Sequence, residues 1–241
     1  MDVTFLGVGE AFDPHEANAS VLVRAGDFTL LIDCGHSVVS PLWRRCPEPD
    51  EINAVYLTHH HGDHVLGLLP VLDRWASDGR RQPFSIFTTE RGIGQLRTLF
   101  TAGFIRLDER SPFPIYFEVA QRTKAIGPFA TAFAPTTHAV PNHAIRLDHG
   151  GRRFCYSGDG RPTPEAVALY EGSHLLMHEC YLPEAAPERL YHCDLPTVRT
   201  IPSVARLGLY HIQAGQRPAM RAAIADEPNL FVPDAGEMIT V

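Results

Sequence analysis

Short apolar runs separated by glycine, proline and aspartate turns dominate the first two thirds of the chain. Their length and their β-branched and aromatic content predict strands, at Asp2–Leu6, Ser20–Arg24, Phe28–Asp33, Ala54–Thr58, Phe84–Thr88, Ile115–Val119, Phe129–Ala134, Ala144–Asp148 and Arg152–Ser157. Apolar residues at helical spacing predict two helices among these strands, at about Val65–Ala76 and at Gly92–Thr101. This part of the chain therefore contains more strands than helices.

The last third of the chain alternates strand and helix. Strands are predicted at His174–His178, Leu209–Ile212, Leu230–Val232 and Met238–Val241. Helices are predicted at Leu195–Leu207, at Arg217–Ala225 and after Thr163, a suitable N-cap for a helix that begins with proline. Together the two patterns predict an α+β fold, with two sheets packed face to face and helices outside, in a single domain over residues 1–241.

Charge and composition narrow the range of partners. The chain has 241 residues, a formal net charge of −7 and a pI near 6.0, so long nucleic acid is not an expected partner. No apolar run reaches the ~20 residues that span a bilayer, which predicts no membrane partner. The first residues lack the features of a signal peptide, and the five cysteines form no CxxC pair. A reducing cytoplasm is therefore the expected location.

Four metal-capable side chains lie close together between a predicted strand and a predicted helix. They are His59, His61, Asp63 and His64, with Gly62 between the two pairs. Imidazole nitrogens and carboxylate oxygens are the ligands that Zn²⁺ and similar divalent ions take. Alternate loop positions point to one side, so the first two histidines can reach one ion and the later pair a second, with the glycine allowing the bend.

Further donors follow other predicted strands. His138 follows the strand Phe129–Ala134, Asp159 closes the strand that begins at Arg152, and His211 lies near the end of a late strand. Each alone is more typical of a hydrogen-bonded structural residue. With the first cluster they give seven donors, enough for two sites that keep open positions if one carboxylate bridges the ions.

This arrangement resembles the metallo-β-lactamase superfamily, with its HxHxDH motif and its later His, Asp and His. The resemblance covers nearly the whole chain and implies a four-layer αββα sandwich of two mixed β-sheets flanked by helices. The ligand sets that it implies are His59, His61 and His138 for one ion and Asp63, His64 and His211 for the other, with Asp159 as the bridge. It also implies that Asp33 orients the metal loop and that His60 occupies a variable position near or outside the site.

Three details resemble the ribonuclease Z and phosphodiesterase branch of that superfamily. They are the pair His178-Glu179, the later His192, and Asp159 followed by glycine and arginine. The resemblance makes His192 the candidate general acid and Glu179 the residue that holds it, whereas His178 is interpreted as structural. Only Ala139 to Gly158 separates the residues between which ribonuclease Z carries its tRNA-gripping arm, so tRNA maturation is not expected.

The predicted activity is a binuclear metal-dependent hydrolase, most simply a phosphodiesterase on small phosphodiesters or short nucleotides. Two divalent ions roughly 3.5–4 Å apart can share a hydroxide nucleophile and polarise the phosphoryl oxygen. The assigned catalytic residues are Asp63, His192 and Glu179. Zinc is the expected metal, with manganese and iron as alternatives, and the resemblance implies a homodimer.

The sequence is also compatible with two other functions. The same donors suit a carboxylic ester, lactone or thioester hydrolase, and a non-catalytic metal-dependent binding protein would keep them for stability. Around the site, Arg161 either meets an anionic group or is a solvated surface residue, and His15 or Asn18 is a candidate substrate contact at the mouth. Cys34 and Cys193 are interpreted as packing residues, because a metal hydroxide needs no side-chain nucleophile.

Overall fold

The computed structural model describes residues 1–108, 110–187, 191–202 and 204–241. Within these ranges the strands form two sheets. The strands are β1 Asp2–Gly7, β2 Ser20–Ala25, β3 Phe28–Ile32, β4 Ala54–Tyr56, β5 Phe84–Thr88, β6 Ile115–Val119, β7 Ala125–Ile126, β8 Phe129–Thr137, β9 Asn142–His149, β10 Arg152–Tyr156, β11 Arg161–Pro162, β12 Leu175–Glu179, β13 Leu207–Tyr210, β14 Leu230–Phe231 and β15 Met238–Thr240.

Both sheets are mixed, as predicted. The first has the order β15-β1-β2-β3-β4-β5-β6, antiparallel from β15 to β3 and parallel from β3 to β6. The second has the order β11-β8-β9-β10-β12-β13-β14, with β7 paired to β8. Its strands from β10 to β14 are parallel, and β8 runs in the same direction as β10 because each is antiparallel to β9.

The helices lie on the outer faces of the two sheets. The α-helices of the described ranges are α1 Val39–Arg45, α2 Gly62–Val65, α3 Leu68–Ser77, α4 Glu90–Ala102, α5 Pro164–Tyr170, α6 Leu195–Val198 and α7 Arg217–Ala223, with short 3-10 helices at His36–Val38 and Ala120–Arg122. The first four pack on the first sheet and the last three on the second. No described helix is both long enough and apolar enough to cross a membrane.

Alternating side chains of the central strands build three apolar layers. In β2, Val21 and Val23 face the layer between the two sheets, whereas Leu22 faces the layer under the outer helices. Side chains at successive strand positions point to opposite faces, so strands apolar at every position can be buried on both sides. On the far side, a third layer packs the second sheet against α5, α6 and α7. The predicted αββα sandwich is confirmed.

Two predicted helices differ from the structure. The first is interrupted after α2, where Leu66 and Gly67 separate α2 from α3. A Cβ added at Gly67 would lie 2.2 Å from the carbonyl oxygen of Gly35, so this close backbone contact requires glycine. The N–H of Gly67 donates to the carbonyl of Cys34 and not to a carbonyl of α2, which interrupts the helical hydrogen bonds.

The predicted helix Leu195–Leu207 is wrong beyond Val198, where α6 ends. The β-branched residues that follow and the approaching Pro202 disfavour helix, since the residue before a proline is pushed out of the α region. Ser203, which this prediction included, lies outside the described residues. By contrast, Thr163 caps α5 as predicted, because its hydroxyl accepts the backbone N–H of Ala166.

A buried arginine fastens the turn before β5. Arg80 has 0% exposure, and its guanidinium lies over the ring of Trp75 at 4.7 Å. It donates hydrogen bonds to the backbone carbonyls of Pro49, Ile52, Gln82 and Pro83. Burial lowers its pKa to about 10, so the guanidinium stays charged at neutral pH. One planar fork of donors therefore satisfies several carbonyls of two loops at once.

Replacing this guanidinium with the ammonium group of lysine is expected to destabilise the fold. Arg80→Lys keeps the charge but supplies fewer donors in the wrong geometry, so it should lower the free energy of unfolding by about 2–4 kcal/mol. The measurement is urea unfolding followed by circular dichroism, with the exposed neighbour Arg81→Lys as the control. A loss below ~0.5 kcal/mol, the range of ordinary surface substitutions, would contradict this account of Arg80.

Candidate metal centre

The carboxyl ends of β4, β8, β10, β12 and β13 converge on one edge of the sandwich. The loop after β4 carries His59 and His61, and α2 begins at Gly62, so Asp63 and His64 lie in its first turn. His138 directly follows β8, Asp159 follows β10 and His211 follows β13. Strands that run in the same direction end at the same edge, and the structure therefore brings together all seven predicted donors.

The first donor group contains His59, His61, His138 and Asp159, whose donor atoms lie within 4.8 Å of one another. His61 Nδ1 lies 3.1 Å from His59 Nε2 and 3.2 Å from His138 Nε2. Asp159 Oδ2 lies 3.8 Å from His59 Nε2. All four side chains therefore point into one small space.

The second donor group contains Asp63, His64, His211 and again Asp159. His64 Nε2 lies 3.2 Å from Asp63 Oδ2 and 3.5 Å from Asp159 Oδ1. His211 Nε2 lies 3.4 Å from both Asp63 Oδ2 and Asp159 Oδ2. The Asp159 carboxylate thus belongs to both groups, as the predicted bridge requires.

The donor chemistry fits divalent metal ions. Two ligands on tetrahedral zinc lie about 3.3 Å apart, given bonds of about 2.0–2.1 Å. The shortest donor distances within the two groups, from 3.1 to 3.9 Å, are close to that spacing, and all donor atoms of a group lie within 4.8 Å of one another. Moreover, His64 Nε2 and Asp159 Oδ1 are buried and have no hydrogen-bond partner among the described residues. Buried polar atoms are rarely left unpaired, so this arrangement fits a shared cation.

The ionisation of the site suits the same role. Burial holds the pKa of the His59 imidazole well below its usual value, so His59 is neutral and able to ligate. Burial alone would raise the pKa of the Asp159 carboxyl, but His211 and His64 hold it well below its ordinary range. Asp159 is therefore a charged acceptor, the form that a bridging ligand needs.

Asp33 fixes the orientation of the metal loop from behind. Its carboxylate is fully buried and accepts hydrogen bonds from the backbone N–H of Thr58 at 2.9 Å and from the Thr58 hydroxyl. Its Oδ2 lies 2.8 Å from His64 Nδ1, which leaves His64 Nε2 to face the donor group. Asp33 adopts a φ of 59°, a conformation that non-glycine residues seldom take and that cooperating contacts must hold.

The predicted acid and its holder are also neighbours. His192 Nδ1 lies 2.9 Å from Glu179 Oε2, and the Glu179 carboxylate also accepts the backbone N–H groups of Gly160 and Cys193. Burial alone would lower the pKa of His192, but the charge and hydrogen bond of Glu179 raise it. The ring is fixed by stacking on Tyr181, at 4.7 Å between centroids. An imidazole held in this way can carry a proton at neutral pH.

Several residues that the sequence placed near the substrate have other roles. The guanidinium of Arg161 donates to Asp194 Oδ2 at 3.0 Å and to the carbonyl of Ala186, so it is paired within the protein rather than solvated. Asn18 is buried and hydrogen-bonded to Ser37, and His15 lines a different cavity.

The remaining predicted side chains have structural surroundings. His60 faces away from the donors, with Nε2 2.7 Å from the Thr88 hydroxyl, and burial lowers its pKa to about 4. The buried His178 is hydrogen-bonded through Nδ1 to the carbonyl of Glu179, in line with the structural interpretation. Burial raises the pKa of the thiols of Cys34 and Cys193, which keeps both protonated and supports their interpretation as packing residues.

A cavity of about 450 Å³ opens over the donors. Besides predicted residues, its walls contain side chains that the sequence did not point to, namely Glu10, Phe12, His36, Leu66 and Tyr181. Of these residues, His36 is the one that the sequence could have indicated, because it lies three positions after Asp33, a residue predicted beside the metal loop.

Comparison with known proteins identifies relatives over most of the chain. A family profile described as "Anti-Pycsar protein Apyc1" matches residues 1–231. Ribonuclease Z of Methanothermobacter thermautotrophicus is 25% identical over an alignment of 258 positions, which covers 86% of this chain and 82% of that protein. The probable metallo-hydrolase YhfI of Bacillus subtilis is 27% identical over 186 residues, or 75% of this chain and 72% of YhfI.

Solved structures agree on the fold. The metallo-β-lactamase fold protein YhfI superposes with a TM-score of 0.85 at 23% identity and covers 99% of this chain and 98% of its own. The short form of human tRNase Z superposes with a TM-score of 0.80 at 21% identity, over 100% of this chain and 99% of the other. In this chain the segment between His138 and Asp159 forms only the hairpin of β9 and β10.

The hydrogen bond from His64 to Asp33 is expected to tune zinc binding. Asp33→Asn replaces one acceptor oxygen with an N–H donor, so it loses the bond to either His64 or Thr58 and should weaken zinc affinity by about 10- to 100-fold. A competition titration with a chromophoric chelator measures this. Asp148→Asn, which removes an ion-paired carboxylate on β9 away from the donors, serves as the control. Equal zinc affinity in the Asp33 variant and the wild type would refute the orienting role.

Proposed function

The chain belongs to the family of the anti-Pycsar protein Apyc1 and is a metal-dependent hydrolase of the ribonuclease Z-like branch of the metallo-β-lactamase superfamily, and we propose that its substrates are small phosphodiesters or short nucleotides. The observation that carries this proposal is one cavity that joins two donor groups through Asp159 and places the pair His192–Glu179 beside them. Such a constellation combines a site for two cations with a separate proton donor.

We propose that the cavity holds two divalent ions, with zinc as the expected metal. The residues that would hold them are His59, His61 and His138 for one ion and Asp63, His64 and His211 for the other, with Asp159 between them. When bound, such ions activate a water molecule as a nucleophile and polarise the phosphoryl group. Asp63 counts among the catalytic residues because its carboxylate lines the cavity as well as contacting His64 and His211.

His192 is the group that we assign to the leaving oxygen. Its Nδ1 is occupied by Glu179, and its ring lies 5.4 Å from that of His211 and 5.3 Å from that of His138. The imidazole therefore borders both donor groups, and its Nε2 has no partner among the described residues. A proton delivered from this nitrogen to the departing ester oxygen completes hydrolysis, and Glu179 stabilises the charged imidazole before the transfer.

The size and charge of the site favour a small substrate. A cavity of about 450 Å³ lies within the range of small-molecule sites. The segment between His138 and Asp159 is a hairpin where ribonuclease Z carries its arm, and the formal net charge of the chain is −7. Both features favour a small diester over a folded RNA. The homodimer and the cytoplasmic location stay predictions.

The activity is tested by comparing ester classes on one metal-loaded preparation. Zinc-loaded protein should hydrolyse bis-p-nitrophenyl phosphate in preference to p-nitrophenyl acetate and a γ-lactone, and a chelator should abolish this activity. Carbonyl-ester activity alone would replace the proposal with the ester or lactone hydrolase. Zinc-loaded protein that is inert to all three esters would favour the non-catalytic binding protein.

Loss of the candidate acid should depend on the leaving group. His192→Ala is expected to lower kcat by about 100- to 1,000-fold for a methyl or benzyl leaving group but by less than about tenfold for p-nitrophenolate, which departs without protonation. Steady-state rates on matched methyl phosphodiesters measure this, with metal content determined for each sample. The control is His149→Ala, on the hairpin of the second sheet. An equal loss on good and poor leaving groups would exclude His192 as the acid.

A further inference from the structure

One wall of the cavity is formed by elements that contribute none of the metal donors. It contains Glu10 and Phe12 from the loop between β1 and β2, and His36 from the first position of a 3-10 helix. The side chain of His36 is exposed, is absent from both donor groups, and makes no hydrogen bond or ion pair within the described ranges. Neither the fold nor the metal centre therefore accounts for this imidazole.

The backbone of His36 is nevertheless fixed relative to the donors. On one side, a Cβ at Gly35 would lie 1.9 Å from the carbonyl oxygen of Asp63, so the chain runs directly against the metal loop. The N–H of Cys34 donates to the carbonyl of His64 at 2.7 Å. The backbone of His36 therefore has a defined position relative to the donors, in the wall of the same cavity.

The other side of His36 is fastened to the neighbouring loop. Ser37 donates its N–H at 3.1 Å and its hydroxyl at 2.6 Å to Asn18 Oδ1, and the N–H of Asn18 donates to the Ser37 hydroxyl at 2.8 Å. The side-chain amide of Asn18 also donates to the backbone carbonyl of Glu10. This network holds the whole wall, including the loop that presents Phe12, in one arrangement.

The chemistry of this wall indicates which kind of substrate group would contact it. Phe12 is 88% exposed and Leu66 is 41% exposed, so apolar surface flanks the imidazole at the cavity. An imidazole donates a hydrogen bond in either protonation state. Glu10 adds a buried carboxylate whose Oε2 accepts the N–H of Phe12, which disfavours a further anionic group at this wall. The wall therefore suits an uncharged group that combines a flat or apolar face with a hydrogen-bond acceptor.

We propose that His36 is a specificity-determining residue that hydrogen-bonds the non-reacting arm of the phosphodiester and so selects a nucleoside arm over a simple alkyl arm. This inference rests on the proposed function. A nucleoside supplies sugar and carbonyl oxygens as acceptors and a flat base for the apolar surface, without a second phosphate. His192 and the donors act on the reacting phosphoryl group, so the two walls divide the substrate between them.

Two substrates with the same leaving group test this assignment. Thymidine 5′-p-nitrophenyl phosphate and methyl p-nitrophenyl phosphate differ only in the arm that is not released. His36→Ala should lower the ratio of their kcat/KM values, nucleoside over methyl, by about tenfold, the effect of one lost hydrogen bond. His36→Gln or His36→Asn, which keep a donor, should restore part of the ratio. The control is His149→Ala, on the hairpin of β9 and β10, which should leave the ratio within twofold.

The outcomes separate this inference from the proposed function. An unchanged ratio in His36→Ala, or equal losses on both substrates, would overturn the assignment of His36 while leaving the phosphodiesterase intact. A zinc-loaded wild type that hydrolyses neither diester would refute the proposed function instead. In that case calorimetric binding of thymidine 5′-monophosphate decides on His36, because weaker binding to His36→Ala supports a nucleoside contact and equal binding refutes it.

Discussion

The Asp159 carboxylate, buried between two groups of imidazoles, is the contact on which the rest of the site depends. Its Oδ2 lies within 3.9 Å of nitrogens on His59, His138 and His211, and its Oδ1 faces His64. A buried charge is tolerated only when it is compensated, and the donors that compensate it come from strands of both sheets. The packing of the two sheets and the composition of the metal centre therefore depend on each other, because only the packed sheets bring these imidazoles to the buried Asp159 carboxylate.

Residues around the metal centre hold its side chains in position from both sheets. Asp33 orients His64 from the first sheet, and Glu179 at the end of β12 holds His192 from the second. Asp33 and His211 both adopt positive φ, at 59° and 55°. Conformations of this kind persist where the surroundings hold them, and they cluster at functional sites. These two positions belong to the same edge as the donors, whereas Phe104, which also has positive φ, lies in the turn after α4.

Local patterns explain why much of the fold and the donor set could be predicted. His59 to His64 are neighbours in sequence, and strand ends such as those before Asp159 and His211 are visible as breaks in apolar runs. The continuous apolar runs of β2 and β3 are likewise typical of strands buried on both faces. The roles of His192 and Glu179 came from a family resemblance, because their contact joins residues 13 positions apart through tertiary structure.

The features that sequence reasoning missed depend on contacts between distant segments. The break between α2 and α3 coincides with the contact of Gly67 with Cys34 and Gly35, and the ion pair of Arg161 with Asp194 joins residues 33 positions apart. His36 likewise gains its place from Asn18 and Asp63. The central claim is that Asp159 joins two metal sites, and a crystal structure of the zinc-loaded protein with anomalous scattering at the zinc edge tests it most directly. The account predicts two anomalous peaks, one on each side of the Asp159 carboxylate, and a single peak or a peak coordinated without Asp159 would contradict it.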